Sequence, residues 1–437
     1  MPSPVIIGVI GLVVMLLGMA IGLHIGITLA IVGFGGYVAL LGFTRGLGVL
    51  AGTPYYTTAQ YAYIALPMFI FMGELAFQGG LGTLLYKSAS KWLGHLHGGL
   101  AMATVAACAF FATLSGDSMS ASATFGKIAV PEMVRYKYDS KFACGVVAGA
   151  AGLAVLIPPS GVMIFYCILT QVSLSKLMIA GFIPGFMSAF IYATMIYTRV
   201  RLNPNIGPPT TEPVTWKERF VSVTWLAPIL IILVVMFGGI YLGVFSPIEA
   251  AAVGAFTVFI VVLARRSLKM SAFKASMANM ARTSAMIFLV IIGAMIFNKF
   301  LVLSGVPDAL SAFVSSLPVP RLVILVIVLI IYIILGMFMN VPAMLAITLP
   351  IFFPLLNGLG YDGVFLGILI VLEVEMAAIS PPLAMNVYVL KAVVGDLVSL
   401  GGIFRGILPF LLVDIFICVL LVAFPQISLL LPSTMFK

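Results

Sequence analysis

Charge is what this chain has least of. Of its 437 residues only 8% are Asp, Glu, Lys or Arg, with 13 acids against 22 Lys and Arg. A soluble domain of this size carries roughly 25% charged residues on its surface, so that class is excluded. Cysteine is scarce as well. Cys108, Cys144, Cys167 and Cys418 are scattered in apolar sequence without a CxxC pair, which reads as packing rather than as a metal, redox or disulfide framework. The three histidines, His24, His95 and His97, fall at the predicted membrane boundary, which speaks against a metal centre. No HExxH or GxSxG motif is present. An intramembrane aspartyl protease would need aspartates in YD and GxGD contexts. Tyr138-Asp139 and Ser115-Gly116-Asp117 come near, but Leu114 takes the place of the first glycine and Asp139 sits in a basic loop. No enzyme is therefore expected. A cleavable leader is not expected either, because Met1-Pro2-Ser3-Pro4 has no cation and the apolar run 5–22 has no convincing cleavage site.

What the chain does have is 63% hydrophobic residues, the composition of an all-α polytopic membrane protein. Spans are expected near 4–22, 25–42, 61–78 and 178–198, then 224–244, 247–263, 284–302 and 405–425. Two proline pairs, Pro158-Pro159 and Pro381-Pro382, interrupt apolar helical runs 223 residues apart. Pro131 and Pro354, Tyr138 and Tyr361, and Asp139 and Asp362 share that spacing. The reading is one unit used twice, 1–200 and 224–437, joined by a hydrophilic linker at 201–223. Each unit holds a re-entrant hairpin (99–130 and 321–353) and a broken span (141–173 and 364–393). Proline removes a backbone donor and crowds the preceding turn. Lipid cannot satisfy the freed groups, so such breaks mark a binding site in a secondary transporter. Segments 81–96 and 265–282 are amphipathic and are expected in the interface, linking a scaffold to a mobile part.

The basic residues report topology. On this arrangement seventeen share one side, from Lys87 and Lys91 to Lys391 and Arg405, whereas Arg45, Lys176, Lys299, Arg321 and Lys437 fall on the other. The first group is then cytoplasmic and both termini are outside. The loop ending in Tyr138-Asp139 is basic, but its counterpart ending in Tyr361-Asp362 has no cation. The two units are therefore expected to be inverted.

Candidate ligands concentrate at the hairpin centres and the breaks. Ser115, Gly116 and Asp117 begin a run of small hydroxyl residues around an acid, unusual at bilayer depth. Their oxygens are hard donors suited to Na⁺. Hairpin two offers Met339, Asn340 and Val341, with Asn340 opposite Asp117. The breaks supply Ile157, Pro158, Pro159 and Ser160 in one copy, and Ser380, Pro381 and Pro382 in the other. The half-helix N-terminus there favours an anion and the C-terminal carbonyls favour a cation. Ser115, Asp117, Asn340 and Ser380 are the candidate Na⁺ ligands. Glu373 and Glu375 have no counterparts in the first copy, and three roles stay open for them: cation binding, proton coupling or a scaffold hydrogen bond. Asp414 and Glu74 are assigned to span ends and read as structural.

At these motifs the chain resembles the large membrane subunit of TRAP (tripartite ATP-independent periplasmic) transporters, within the ion-transporter superfamily. The likeness runs through Leu66-Pro67-Met68-Phe69, Gly98-Gly99-Leu100-Ala101, Ser115-Gly116, Pro131-Glu132-Met133, Leu156-Ile157-Pro158-Pro159-Ser160 and Leu177-Met178-Ile179-Ala180-Gly181. It implies an elevator-type, Na⁺-driven importer of a small organic acid such as a C4-dicarboxylate or sialic acid, in a bacterial inner membrane. It also implies a four-helix small membrane subunit and a periplasmic substrate-binding protein as partners. The chain departs from the family's usual pattern at Asp117, at Ser380 and at Glu373-x-Glu375. A self-contained Na⁺/dicarboxylate-type carrier is the alternative, and a channel a more distant one.

Overall fold

The computed structural model describes residues 3–210 and 214–435. Lys437, counted above for orientation, lies outside them. Among the described residues the chain is helical, with no strand. It opens with α1 (Pro4–Ala20), α2 (Ile25–Leu41), α3 (Phe43–Thr58), α4 (Ala65–Gln78) and α5 (Leu81–Leu93). A hairpin of α6 (Gly99–Ser115) and α7 (Ser118–Arg135) follows, then a helix broken into α8 (Ser140–Leu156) and α9 (Gly161–Thr170). The short α10 (Leu174–Ala180) leads into α11 (Phe182–Leu202). Next come α12 (Trp216–Tyr241), α13 (Pro247–Ala264), α14 (Met270–Ser304) and α15 (Val306–Ser316). A second hairpin, α16 (Arg321–Gly336) and α17 (Val341–Gly358), precedes a second broken helix, α18 (Gly363–Ile379) and α19 (Met385–Val394). The chain closes with α20 (Leu400–Ala423) and α21 (Gln426–Thr434).

The 223-residue spacing recurs in the helix boundaries. α7 and α17 begin and end at that interval, and so do α8 and α18. The local chemistry repeats with it. Asp139 Oδ1 accepts from the Phe142 N–H at 2.8 Å, and Asp362 Oδ1 accepts from the Val364 and Phe365 N–H groups. These are helix N-caps, which satisfy donors that have no intrahelical partner. Tyr138 stacks on Phe142, and at the same spacing Tyr361 stacks on Phe365.

Six helices among the described residues are long and apolar enough to cross a bilayer, or up to eight if two bent pairs each count as one span. One pair bends by 40° at Pro158-Pro159, the other by 63° between α4 and α5. Such kinks have a local cause: proline in the first, and Gly79-Gly80 in the second, with Gly80 at φ +72°. Two sequence expectations change shape here. Segment 265–282 is not a separate interfacial helix. From Met270 it continues into the following span as one 35-residue helix, about 52 Å long at 1.5 Å per residue. A helix at Phe43–Thr58 also stands where no span was assigned. The 3-10 turn Pro204–Ile206, within the stretch assigned to the linker, is bonded back to the start of α8, since the Asp139 N–H donates to the Ile206 carbonyl. α12 begins at Trp216, within the stretch assigned to the linker, under a Thr215/Glu218 capping box.

Packing is set by small residues. Hydrophobic contrast between helices vanishes in lipid, so close backbone approach takes over. A Cβ at Gly293 of α14 would strike the Gly26 carbonyl of α2, and one at Gly145 of α8 would strike the Gly406 carbonyl of α20. α8 and α18 are buried along nearly their full length. Peripheral helices do the reverse: Val9, Ile10, Val13 and Leu17 of α1 are exposed, an outward apolar face suited to acyl chains. The arrangement puts the two broken helices at the centre of the molecule, with a hairpin against each.

Candidate functional site

Each hairpin tip is bonded to a helix break. At the first hairpin α6 ends at Ser115, and Gly116 turns the chain at φ +60°. Asp117 then caps α7, its Oδ2 accepting from the Ser120 N–H at 2.8 Å and its Oδ1 from the Met119 N–H at 3.4 Å. Across from it α8 ends at Leu156, and Ser160 caps α9 by accepting from the Met163 N–H. The Gly161 N–H donates to the Gly116 carbonyl at 3.3 Å, clasping tip to break. At the second hairpin Asn340 caps α17 by accepting from the Ala343 N–H at 3.1 Å. The Leu383 N–H donates to the Met337 carbonyl at 3.3 Å. Both Pro-Pro bonds, Pro158-Pro159 and Pro381-Pro382, are cis.

Both tips and both breaks open onto one cavity of about 460 Å³, a volume suited to a small metabolite. Of the sequence candidates, Ser115, Gly116, Asp117, Pro159, Met339, Asn340 and Val341 line it. Ile157, Pro158 and Ser160 are fully buried behind it. In the second break the lining is Leu383, Ala384, Met385 and Asn386 rather than Ser380, Pro381 and Pro382. The Ser380 hydroxyl is turned inward, donating to the Met376 carbonyl at 2.7 Å. The far wall comes from α4 and α14 and includes Glu74 and Thr283.

Glu74 and Asn386 line the cavity, and sequence reasoning did not place them there. Glu74 belongs to the cavity, half-buried and accepting from Asn279 Nδ2 at 3.3 Å. The signal for it was an acid inside an apolar run, and its place near the helix end obscured it. Asn386 is fully buried and neither end of its carboxamide has a partner. The acids Glu74 and Asp117 line the cavity, and among the described residues no Lys, Arg or His does. Ser115 Oγ is buried beside Asp117 without a hydrogen-bond partner, and buried hydroxyls rarely stay unpaired. It is a hard donor free to meet a cation, as Asp117 is with its remaining lone pairs.

Glu373 and Glu375 lie outside this cavity, although Val374 between them lines it. Asp414 is not at a span end: it sits mid-way along α20, fully buried. The Tyr192 hydroxyl of α11 donates to Asp414 Oδ1 and lies 3.5 Å from Glu375 Oε1. Cys418 Sγ meets Glu373 Oε1 at 3.5 Å. Three carboxylates thus share one buried interface behind the cavity.

Comparison with known proteins places the chain in a family. Residues 12–427 match the family described as tripartite ATP-independent periplasmic transporter, DctM component. The C4-dicarboxylate TRAP transporter large permease protein DctM of Pseudomonas aeruginosa is 35% identical over 378 residues, 86% of this chain and 87% of that protein. The isethionate TRAP transporter permease protein DctMQ of Oleidesulfovibrio alaskensis is 30% identical, covering 90% of this chain and 60% of that one. Among solved structures the Alcanivorax borkumensis YdaH transporter has a TM-score of 0.59 at 17% identity, covering 89% of this chain and 88% of that chain. At that identity it shares the fold alone. With its polytopic helical fold, its paired helix breaks and these matches, the chain belongs to the DctM family of TRAP transporters and is a large membrane permease subunit, not an enzyme.

Proposed function

We propose that the chain imports a small organic acid anion together with Na⁺ through the cavity between its hairpin tips and helix breaks. The observation that carries this is the charge of the lining. Glu74 and Asp117 face the cavity, with no cationic side chain among the described residues. At an effective dielectric of about 20, two like charges 4 Å apart repel by roughly 4 kcal/mol. An anion enters such a space only with cations, and Ser115, Asp117 and Asn340 offer hard oxygens for them. Coupling then follows from charge balance, because the substrate anion is not stable there until cations have bound beside the two acids.

The repeat of caps and helix boundaries at one spacing supports one unit used twice around this site. The contrast between the basic loop at Tyr138-Asp139 and the uncharged counterpart before Tyr361-Asp362 is the ground for reading the units as inverted, with both termini periplasmic. The site's far wall, α4 and α14, belongs to helices other than the hairpins and broken helices. That division suits an elevator, in which the hairpins and broken helices move as a body against a scaffold. A periplasmic binding protein delivering substrate and a small membrane subunit complete the machine. That this chain spans 60% of a relative named DctMQ accords with a second membrane component carried separately here. C4-dicarboxylates, sialic acid, other sugar acids and sulfonates all fit the argument.

The test is uptake into proteoliposomes holding this chain, the small subunit and the binding protein. Saturable uptake is expected under an inward Na⁺ gradient, with collapse when K⁺ replaces Na⁺. Equal uptake by the chain alone would support a self-contained carrier instead, and unsaturable ion current a channel. Asp117 refines the test because it both caps α7 and carries charge. Asp117→Asn keeps a competent cap but removes the charge. It is expected to raise the Na⁺ concentration for half-maximal uptake by about tenfold, the cost of one charge-assisted contact, while the melting midpoint stays put. An unchanged Na⁺ dependence would remove Asp117 from the ion site.

A further inference from the structure

Four helix N-termini point into the region of the cavity, and three of them are closed by their own side chains. Asp117 caps α7, Ser160 caps α9 and Asn340 caps α17. The fourth, α19, is different. Its N-cap is Ala384, which has no side-chain acceptor and lies at φ +29°, a region that residues other than glycine seldom occupy. The first-turn N–H groups of Met385 and Asn386 have no acceptor among the described residues, whereas those of Val387 and Tyr388 reach the Ala384 carbonyl. Beside them lies the carboxamide of Asn386, fully buried with both Nδ2 and Oδ1 unpartnered. Ala384, Met385 and Asn386 all line the cavity. The residue at the repeat spacing in the first break is Met163, apolar and buried, so this polar set belongs to the second copy only.

Unpaired donors at a helix N-terminus form a ready anion site, because the N–H groups and the helix dipole both favour negative charge. A buried carboxamide is costly unless something meets it. Resting on the organic-acid reading above, we infer that the N-terminus of α19 and Asn386 form the subsite that holds the substrate's oxyanion, carboxylate or sulfonate. Its oxygens accept from the N–H groups of Met385 and Asn386 and from Asn386 Nδ2. Asn386 Oδ1 faces the same cavity and accepts from a substrate hydroxyl or ammonium. The cations then belong with Asp117 and Glu74, on other elements, so that anion and cation sites are separate within one cavity.

The experiment uses the chain purified with its small subunit, and sodium succinate, sodium isethionate and sodium N-acetylneuraminate as probes, with sodium chloride as control. Melting midpoints give binding, and proteoliposome uptake with the binding protein gives transport. At least one probe is expected to stabilise the wild type and to be carried. Succinate or N-acetylneuraminate marks a carboxylate site, isethionate a sulfonate site. Asn386→Asp and Ala384→Asp each put a fixed negative charge at the helix mouth, and both are expected to weaken that probe by about tenfold or more. Stabilisation by Na⁺ alone should be retained in both. Asn386→Ser, smaller and still polar, guards against misfolding and should lose affinity without losing the Na⁺ response. Native affinity in Asn386→Asp, or loss of the Na⁺ response together with the probe in all three variants, overturns the subsite while leaving the carrier reading intact. A wild type that neither binds nor carries any probe overturns the organic-acid reading, and the subsite with it.

Discussion

Replacing Gly116 by valine is expected to abolish uptake while the protein still inserts and assembles. Gly116 turns hairpin one at φ +60°, where a side chain crowds the following carbonyl by roughly 1–2 kcal/mol and a β-branched one is worse. The site is also closed from outside, since a Cβ there would collide with the Pro159 carbonyl of the first break. Both effects push in one direction. The tip must retreat, the Gly161 N–H to Gly116 carbonyl bond at 3.3 Å must open, and Ser115 and Asp117 move with it. Where geometry sets the rate, a shift of about 1 Å can cost on the order of 100-fold, and a loss of that size in Na⁺-driven uptake is the expected reading. The partner glycine supplies the control. A Cβ on Gly161 meets nothing within 4 Å, so Gly161→Ala, at the first position of α9, keeps the N–H of the clasp and should fold with a melting midpoint at or slightly above the wild type. Full uptake by Gly116→Val would show that the clasp between tip and break does not hold the site together.

The same residues explain how much could be read from the sequence. Helix breaks announce themselves because proline acts on its own neighbours, so both Pro-Pro sites and their spacing were visible without a structure. The spacing then appears again in α7 with α17 and α8 with α18, and in the paired caps Asp139 and Asp362. Hairpin centres were visible for a related reason: polar residues inside apolar runs need a partner somewhere. Junctions between helices were harder. The amphipathic segment before the span at 284–302 was separated from it by polarity, but 270–292 contains neither Gly nor Pro. Nothing there stops the helix, so α14 runs through. Hardest were residues whose role depends on what faces them across the chain. Glu74 reaches the cavity only because α4 approaches hairpin one so closely that a Cβ on Gly73 would lie 2.8 Å from the Ser115 carbonyl. Asn386 is one residue past the start of α19, and only the missing cap at Ala384 makes it conspicuous. Asp414 looked peripheral because its partners, Tyr192 and Glu375, are 222 and 39 positions away in the chain.

That trio carries the second large effect. Removing the Tyr192 hydroxyl is expected to destabilise the protein without altering its Na⁺ dependence. The ring is held by packing edge-on against Phe410, with centroids 5.2 Å apart, so phenylalanine fits the space and only the donor is lost. That donor faces Asp414 Oδ1 and, at 3.5 Å, Glu375 Oε1, in an interface where Asp414, Glu373 and Glu375 are fully buried. The second oxygen of each of the three carboxyl groups already has no partner. The hydroxyl has one proton, given to Asp414 Oδ1, and a newly orphaned buried group costs about 1–3 kcal/mol, so Tyr192→Phe should lose about 1–3 kcal/mol, read as a lowered melting midpoint of the purified subunit. Glu375→Ala should be at least as severe, because Gly152 of α8 leaves just enough room for that side chain, with a Cβ at Gly152 falling 2.6 Å from Glu375 Cγ. Truncation would therefore leave a cavity in a closely packed buried interface, while the Tyr192 hydroxyl keeps its bond to Asp414. Asp414→Asn, which can still accept from Tyr192 through its amide oxygen, should cost far less. These changes sit outside the cavity, so the Na⁺ concentration for half-maximal uptake should stay at the wild-type value in whatever fraction folds. Asp117→Ala is expected to behave in the opposite way, with weakened Na⁺ dependence and only the roughly 1 kcal/mol of a lost cap. If Tyr192→Phe instead melted normally and shifted the Na⁺ dependence, the buried carboxylates would belong to the coupling machinery rather than to the framework that carries it.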